Sequence, residues 1–219
     1  MVSNQRERII EALAVVCATR GYRATTIEEV IAEAGVSRRT FYDLFDGKQQ
    51  CFLVAYEIAM GRVLRAVERA HRTSEGSWSE RMTSALRALL SLCVAEPDFA
   101  RLVMVEVLAA GRPALERRDA ALSRFERLFE GGATGLPLPD EAARLLARAV
   151  IGGLTEILYT RIIAGEAEAV PEAGSQLLYC MLVPYVGDER ARAASVAWDF
   201  TDAGRESAAA RRSDGGTAF

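Results

Sequence analysis

The chain has 219 residues, half of them hydrophobic, with 27 Lys and Arg set against 30 Asp and Glu. This length supports one or two compact units with a sizeable core, and a net charge of −3 excludes a uniformly basic polyanion binder. Abundant alanine, leucine and arginine, six prolines and no long alternating runs predict an all-α fold.

Residues 4–20 predict an amphipathic helix, with Ile9, Ile10, Leu13, Val16 and Cys17 at helical spacing and Gly21 as its stop. Arg23 and Thr25 follow in a loop. Thr26 and Glu29 have capping-box spacing, so a helix begins at Ile27. Its apolar face is Ile27, Val30, Ile31 and Ala34, and Gly35 ends it. Ser37 is the N-cap of the next helix. On that helix Phe41, Leu44 and Phe45 share one side, while Arg38, Arg39, Tyr42 and Asp43 share the other. Helix, glycine-containing turn and helix form the helix-turn-helix pattern. The second helix carries two guanidinium groups suited to reading guanine in a major groove.

Asp46 and Gln49 repeat the capping-box spacing, so a further helix starts at about Gly47 and runs to about 72. Lys48, the only lysine in the chain, then sits where a helix dipole disfavours a cation unless an anion joins it. A DNA phosphate is the expected anion. Residues 1–50 hold seven basic and seven acidic side chains, so the region must rely on a local basic face. Few phosphate contacts and a shallow salt slope follow.

Gly21-Tyr22, Thr25-Thr26-Ile27, Ile31-Ala32, Ala34-Gly35-Val36-Ser37, Thr40-Phe41-Tyr42, Phe45 and Lys48 occur in an order and spacing that resembles the TetR family of bacterial transcriptional regulators. The match covers roughly residues 5–55. Arg38 and Leu44 depart from the family's usual residues and leave the preferred base sequence open. The resemblance implies a three-helix DNA-binding head on a helical ligand-binding and dimerisation body. It also implies that Thr25 reaches the DNA backbone; the alternative from the residues is a solvent-exposed loop hydroxyl. The DNA-contacting set is Thr25, Thr26, Ser37, Arg38, Arg39, Thr40, Tyr42 and Lys48.

Beyond the head, Ser77 and Glu80 cap a helix to about Ala95 with Met82, Leu86, Leu89, Leu90 and Cys93 on its apolar face. Residues 98–110 predict a short helix that is apolar on nearly every side and therefore buried all round. Glu106 lies within it. A buried carboxylate needs a partner, either a nearby arginine or a ligand it anchors. Pro113 to Glu130 is helical, with Phe125 and Phe129 one turn apart, and Gly131 to Pro139 is a loop.

Asp140 caps a long helix to about Ala164, in which Gly152-Gly153 would permit close approach of another backbone. Pro171 suits the first turn of the last major helix, whose apolar face is Leu177, Leu178, Met181, Leu182 and Tyr185. Two long apolar helices at the end of a helical body suggest a four-helix bundle with a second copy, the same homodimer that the resemblance implies. The candidate interface is Gly152, Gly153, Ile157, Leu178, Met181, Leu182 and Tyr185. The candidate lining for an apolar ligand is Met82, Leu86, Met104, Glu106, Phe125, Phe129 and Tyr159. Residues 188–201 could hold a short helix, and 202–219 read as disordered.

Cys17, Cys51, Cys93 and Cys180 form no C-x-x-C pair and read as free buried thiols in a reducing cytosol. His71, the only histidine, reads as a solvated surface group, so no His-rich metal site is expected. Arg6, Glu7 and Arg8 interrupt any early apolar run, which argues against a signal peptide. The run from Leu177 to Val186 is too short to cross a membrane.

The expected division is a DNA-binding domain at 1–47, a ligand-binding and dimerisation domain at 48–187, and a tail at 188–219. The expected protein is a cytoplasmic, homodimeric repressor that binds a pseudo-palindromic double-stranded operator and is released by an apolar small molecule. It has no catalytic residues, metal or cofactor. The alternatives are a regulator whose body binds a protein, and a helical enzyme.

Overall fold

A computed structural model describes residues 2–134 and 136–200. Among them every regular element is helical: α1 (Val2–Arg20), α2 (Ile27–Ala34), α3 (Arg38–Leu44), α4 (Lys48–Thr73), α5 (Trp78–Ala95), α6 (Pro97–Met104), α7 (Arg112–Glu126), α8 (Glu130–Ala133), α9 (Asp140–Ile163), α10 (Gly174–Val186) and α11 (Asp188–Val196). Tighter 3₁₀ turns occupy Glu106–Ala109, Arg127–Phe129 and Ala167–Ala173.

The chain packs as two compact units. Of the described residues, unit 1 takes those up to Arg62 together with Asp98–Ala121, and unit 2 takes Val63–Pro97 and those from Leu122 onward. The divisions fall inside α4, after the first residue of α6 and inside α7. In unit 1, Ile9, Leu13, Val30, Phe41, Phe52 and Tyr56 are fully buried. In unit 2 the core is built on Leu90, Leu158, Leu177, Leu178 and Leu182.

Several helix ends follow local side-chain chemistry. Thr26 and Glu29 form the capping box of α2, and Ser77 and Glu80 that of α5. Such caps contribute about 1 kcal/mol each by satisfying otherwise unpaired N–H groups. Other ends differ from expectation. Residues 98–110 are not one helix buried all round. The α-helix stops at Met104, a 3₁₀ turn follows, and Leu108 is exposed. The cap of α9 is Pro139, with no side-chain hydrogen bond, so Asp140 is its first residue and not its cap. Pro171 lies in the 3₁₀ turn before α10.

Gly131 and Gly132, expected in a loop, belong to α8. A Cβ on Gly132 would stand 2.4 Å from the Trp78 ring, so the missing side chain lets that indole lie across α8. Trp78 also donates its Nε1–H to the Leu128 carbonyl at 3.0 Å. Its ring meets Phe129 and Tyr185 at centroid distances of 6.2 and 5.0 Å.

His71 is half-buried. Its Nε2 has no hydrogen-bond partner among the described residues. Burial first, and Arg81 second, hold its imidazole below the usual value. Residues 202–219, read as disordered, lie outside the described residues. Among the described residues no helix is long and apolar enough to cross a membrane.

Burial sorts the four thiols. Cys17, Cys51 and Cys93 are buried and Cys180 is exposed. Desolvation pushes the Cys17 thiol up to about 11 and those of Cys51 and Cys93 to about 12, so near pH 8 all three are protonated and unreactive. A thiol-reactive dye is expected to modify no more than one cysteine in the folded protein and all four after unfolding. Rapid modification of a second thiol before unfolding would contradict the burial of these helices.

Candidate nucleic-acid interface

The α2–turn–α3 segment is assembled by short-range chemistry. Glu29 accepts from the Thr26 N–H at 2.9 Å, and Thr26 Oγ1 accepts from the Glu29 N–H at 3.3 Å. The Thr26 donors hold the Glu29 carboxyl below the usual carboxylate range. Gly35 closes α2 at φ +59°, a left-handed conformation that other residues rarely adopt. Arg8 of α1 reaches over this turn and donates to the carbonyls of Ala34 and Gly35. A Cβ on Gly35 would stand 2.8 Å from the Arg8 guanidinium, the movable end of a long side chain, so it is the left-handed backbone that calls for glycine. Sequence reasoning missed the role of Arg8, because only the crossing of α1 over the turn reveals it.

Ser37 caps α3 by accepting from the Thr40 N–H at 3.0 Å, and the two hydroxyls lie 2.9 Å apart. Phe41 is buried in the unit 1 core and pins the helix there. Phe45, also buried, sits just past the helix end in extended backbone, its ring 5.6 Å from that of Phe41. The opposite side presents Arg38, Arg39 and Tyr42 to solvent.

The two arginines are not equivalent. Arg38 is ion-paired to Glu28 of α2 and lies 5.8 Å from the Tyr42 ring centroid. Among the described residues Arg39 has a 3.9 Å contact with Asp43, and its side chain is 91% exposed. An ion pair so long and so exposed adds little, which leaves Arg39 the more available guanidinium.

Two residues of the expected set are engaged elsewhere. Thr25 is 2% exposed. Its hydroxyl donates to the Gly21 carbonyl at 2.9 Å, so it is neither a backbone-reaching group nor a solvated one. Lys48 does open α4, but its ammonium donates to the carbonyls of Thr25 at 2.8 Å, Tyr22 at 2.9 Å and Arg23 at 3.4 Å. It also lies 4.6 Å from the Tyr22 ring centroid. Three ammonium protons meet three carbonyls, which leaves none for a phosphate. Gln49, expected to close a capping box, donates its amide to the Ala110 carbonyl.

The ligand-lining and interface sets also change. Met104 and Glu106 belong to unit 1, whereas Met82, Leu86, Phe125, Phe129 and Tyr159 belong to unit 2. Both carboxylate oxygens of Glu106 are engaged, one with Arg101 and the other with the Tyr22 N–H, so it is no free anchor for a ligand. Leu178, Met181, Leu182 and Tyr185 are buried in the chain's own core, because the apolar face of α10 packs inward. Gly152, Gly153 and Ile157 are exposed on α9.

Residues 9–55 match the family model described as bacterial regulatory proteins, tetR family. The chain is 28% identical over 134 residues to an uncharacterized HTH-type transcriptional regulator of Bacillus subtilis, YfiR, a match that covers 58% of this chain and 65% of the relative. It therefore spans a little under two thirds of that relative's length. Its structure is similar to that of the transcriptional regulator FadR from Bacillus subtilis in complex with stearoyl-CoA. That likeness has a TM-score of 0.68 and 17% identity, and covers 83% of this chain and 98% of the other. A TetR-like transcriptional regulator from Rhodococcus is similar at TM-score 0.64 and 19% identity, over 84% of this chain and 96% of the other. At these identities the structural likeness establishes a shared fold.

Proposed function

We propose that this chain, whose residues 9–55 match the family model of tetR-type bacterial regulatory proteins, is a homodimeric transcriptional regulator of that family that reads double-stranded DNA through α3. The observation that carries this reading is the outward display of Arg38, Arg39 and Tyr42 on a short capped helix whose other side is held by Phe41. Arg39 reads a base, Arg38 follows once its pair with Glu28 gives way, and Thr26, Ser37, Thr40 and Tyr42 contribute at the DNA surface.

Dimerisation occurs along the exposed side of α9, where Leu145, Gly152, Gly153 and Ile157 recur at helical spacing. The stripe Gln176, Cys180 and Pro184, exposed on α10, joins it. Two-fold symmetry then matches two reading helices to a pseudo-palindromic operator. The protein acts as a repressor released by an apolar small molecule, held by residues of unit 2 among which Met82, Leu86, Phe125, Phe129 and Tyr159 are candidates. The stearoyl-CoA bound by the FadR neighbour makes a long-chain acyl thioester the first ligand to try. Buried thiols suit a reducing, cytoplasmic setting.

Selecting DNA from a random pool with the purified protein tests the central reading: one enriched, near-palindromic sequence is expected, and no enrichment would contradict it. On that sequence Arg39→Ala is expected to cost about 1–3 kcal/mol and to relax preference at one base position, with a smaller effect from Arg38→Ala. Equal affinity and unchanged preference for Arg39→Ala would remove Arg39 from the reading role.

A further inference from the structure

We propose that Lys48 and Glu106 are positioning residues of the reading head, acting on the backbone of Tyr22 from its two sides. This rests on the reading of α3 as a DNA-reading helix. The Tyr22 N–H donates to Glu106 Oε2 at 2.7 Å, and the Tyr22 carbonyl accepts from Lys48 Nζ at 2.9 Å. One amino acid thus has both its main-chain groups bonded to charge, and charge-assisted hydrogen bonds hold geometry more tightly than neutral ones.

The two charges are themselves fixed. Glu106, 5% exposed, is paired with Arg101 at 3.2 Å. Lys48 spends its other protons on Thr25 and Arg23. The Tyr22 ring lies 4.6 Å from Lys48 Nζ and, edge-on, 4.8 Å from the Phe52 ring centroid. Gly21, at φ +79°, gives the chain the bend that brings Tyr22 there.

This turn joins α1 to the Thr26 cap and sets where α2 begins. The Gly35 turn, which Arg8 of α1 also holds, leads on to α3, which Phe41 anchors in the core. A displaced turn therefore moves the start of α2, and α3 with it as far as these anchors allow. Removing either charge leaves the Tyr22 main-chain group that it bonds without a partner, which the chain would relieve by moving. The segment 101–106, far along the sequence, is in this way a structural part of the reading head.

The experiment measures affinity of the full-length protein for its selected operator and for a random duplex of equal length, across a series of salt concentrations. Lys48→Met and Glu106→Ala are each expected to weaken operator binding about tenfold or more. Binding to the random duplex should stay within about twofold, with an unchanged salt slope, because no phosphate contact is lost. Glu106→Gln, which keeps an oxygen acceptor for the Tyr22 N–H, is expected to recover most of the operator affinity. Equal losses on both duplexes for Lys48→Met, with a salt slope reduced by about one, would overturn the proposal in favour of a phosphate contact. Glu106→Ala at wild-type affinity, or Glu106→Gln no better than Ala, would also overturn it.

Backbone amide exchange in the DNA-free protein gives a second, independent measurement. Glu106→Ala should deprotect the turn around Tyr22 while α4 stays protected, and Glu106→Gln should not. Loss of protection throughout unit 1 would mean that Glu106 merely holds the fold, and would overturn the proposal. If the wild-type protein selects no DNA, the reading of α3 fails, whereas amide exchange still decides whether the two charges fix the turn.

Discussion

Gly153→Arg is expected to convert the protein into a folded monomer with greatly weakened operator binding. Gly153 lies in the middle of α9 and is exposed, and a Cβ built on it meets no atom of the chain within 4 Å. Within one chain, replacing it should help, since glycine in a helix interior costs about 1 kcal/mol relative to alanine. Across a two-fold interface the outcome reverses. In the proposed dimer the glycines would let two backbones approach, and an arginine on each copy would both separate them and bury unpaired charge. Loss of that dimer would make each half-site bind alone, and the forfeited effective concentration is worth about 10²–10⁴ in affinity. Light scattering after size exclusion gives the mass, and circular dichroism shows whether the helices persist. A dimer of wild-type mass and operator affinity would rule out the α9 face as the interface.

Phe41→Ala is expected to cost about 3–5 kcal/mol, the range for emptying a buried aromatic site. Against a total of roughly 5–15 kcal/mol for a typical domain, that is enough to loosen unit 1. The α3 helix has seven residues, too few to persist alone. Among them Phe41 is the buried one. Its removal should therefore abolish DNA binding even though every outward-facing side chain is intact. Urea unfolding followed by circular dichroism measures the loss, and Arg39→Ala supplies the control, since it should alter binding at unchanged stability. A loss below about 1 kcal/mol would mean that α3 is held by something other than its aromatic pin.

The comparison between Phe41 and Lys48 shows where sequence reasoning succeeds and where it stops. Which side of α3 faces inward follows from a period of 3.6 residues acting on seven amino acids. What Lys48 does depends on where three carbonyls lie, more than twenty residues earlier in the chain. The sequence placed Lys48 correctly at the start of a helix, and the dipole argument called for an anion there, with a DNA phosphate expected. The carbonyls of Tyr22, Arg23 and Thr25 take that place. Glu106 is similar. Its burial and its need for a partner were legible, but a partner 84 positions away was not. On α10, periodicity identified the apolar face and could not say whether its own chain or a second copy would cover it.

The sequence by itself determined the helical class, the capping boxes at Thr26 and Ser77, the left-handed stop at Gly35, the Ser37 cap and the outward trio on α3. Each rests on interactions between residues about three or four apart, whose geometry is set once a helix forms. Only the tertiary structure decided that Thr25 is buried, that Lys48 and Glu106 converge on Tyr22, and that Leu178, Met181, Leu182 and Tyr185 turn inward. Those outcomes depend on which distant surface meets each side chain, and a buried charge or an apolar stripe specifies the kind of partner it needs without specifying which one.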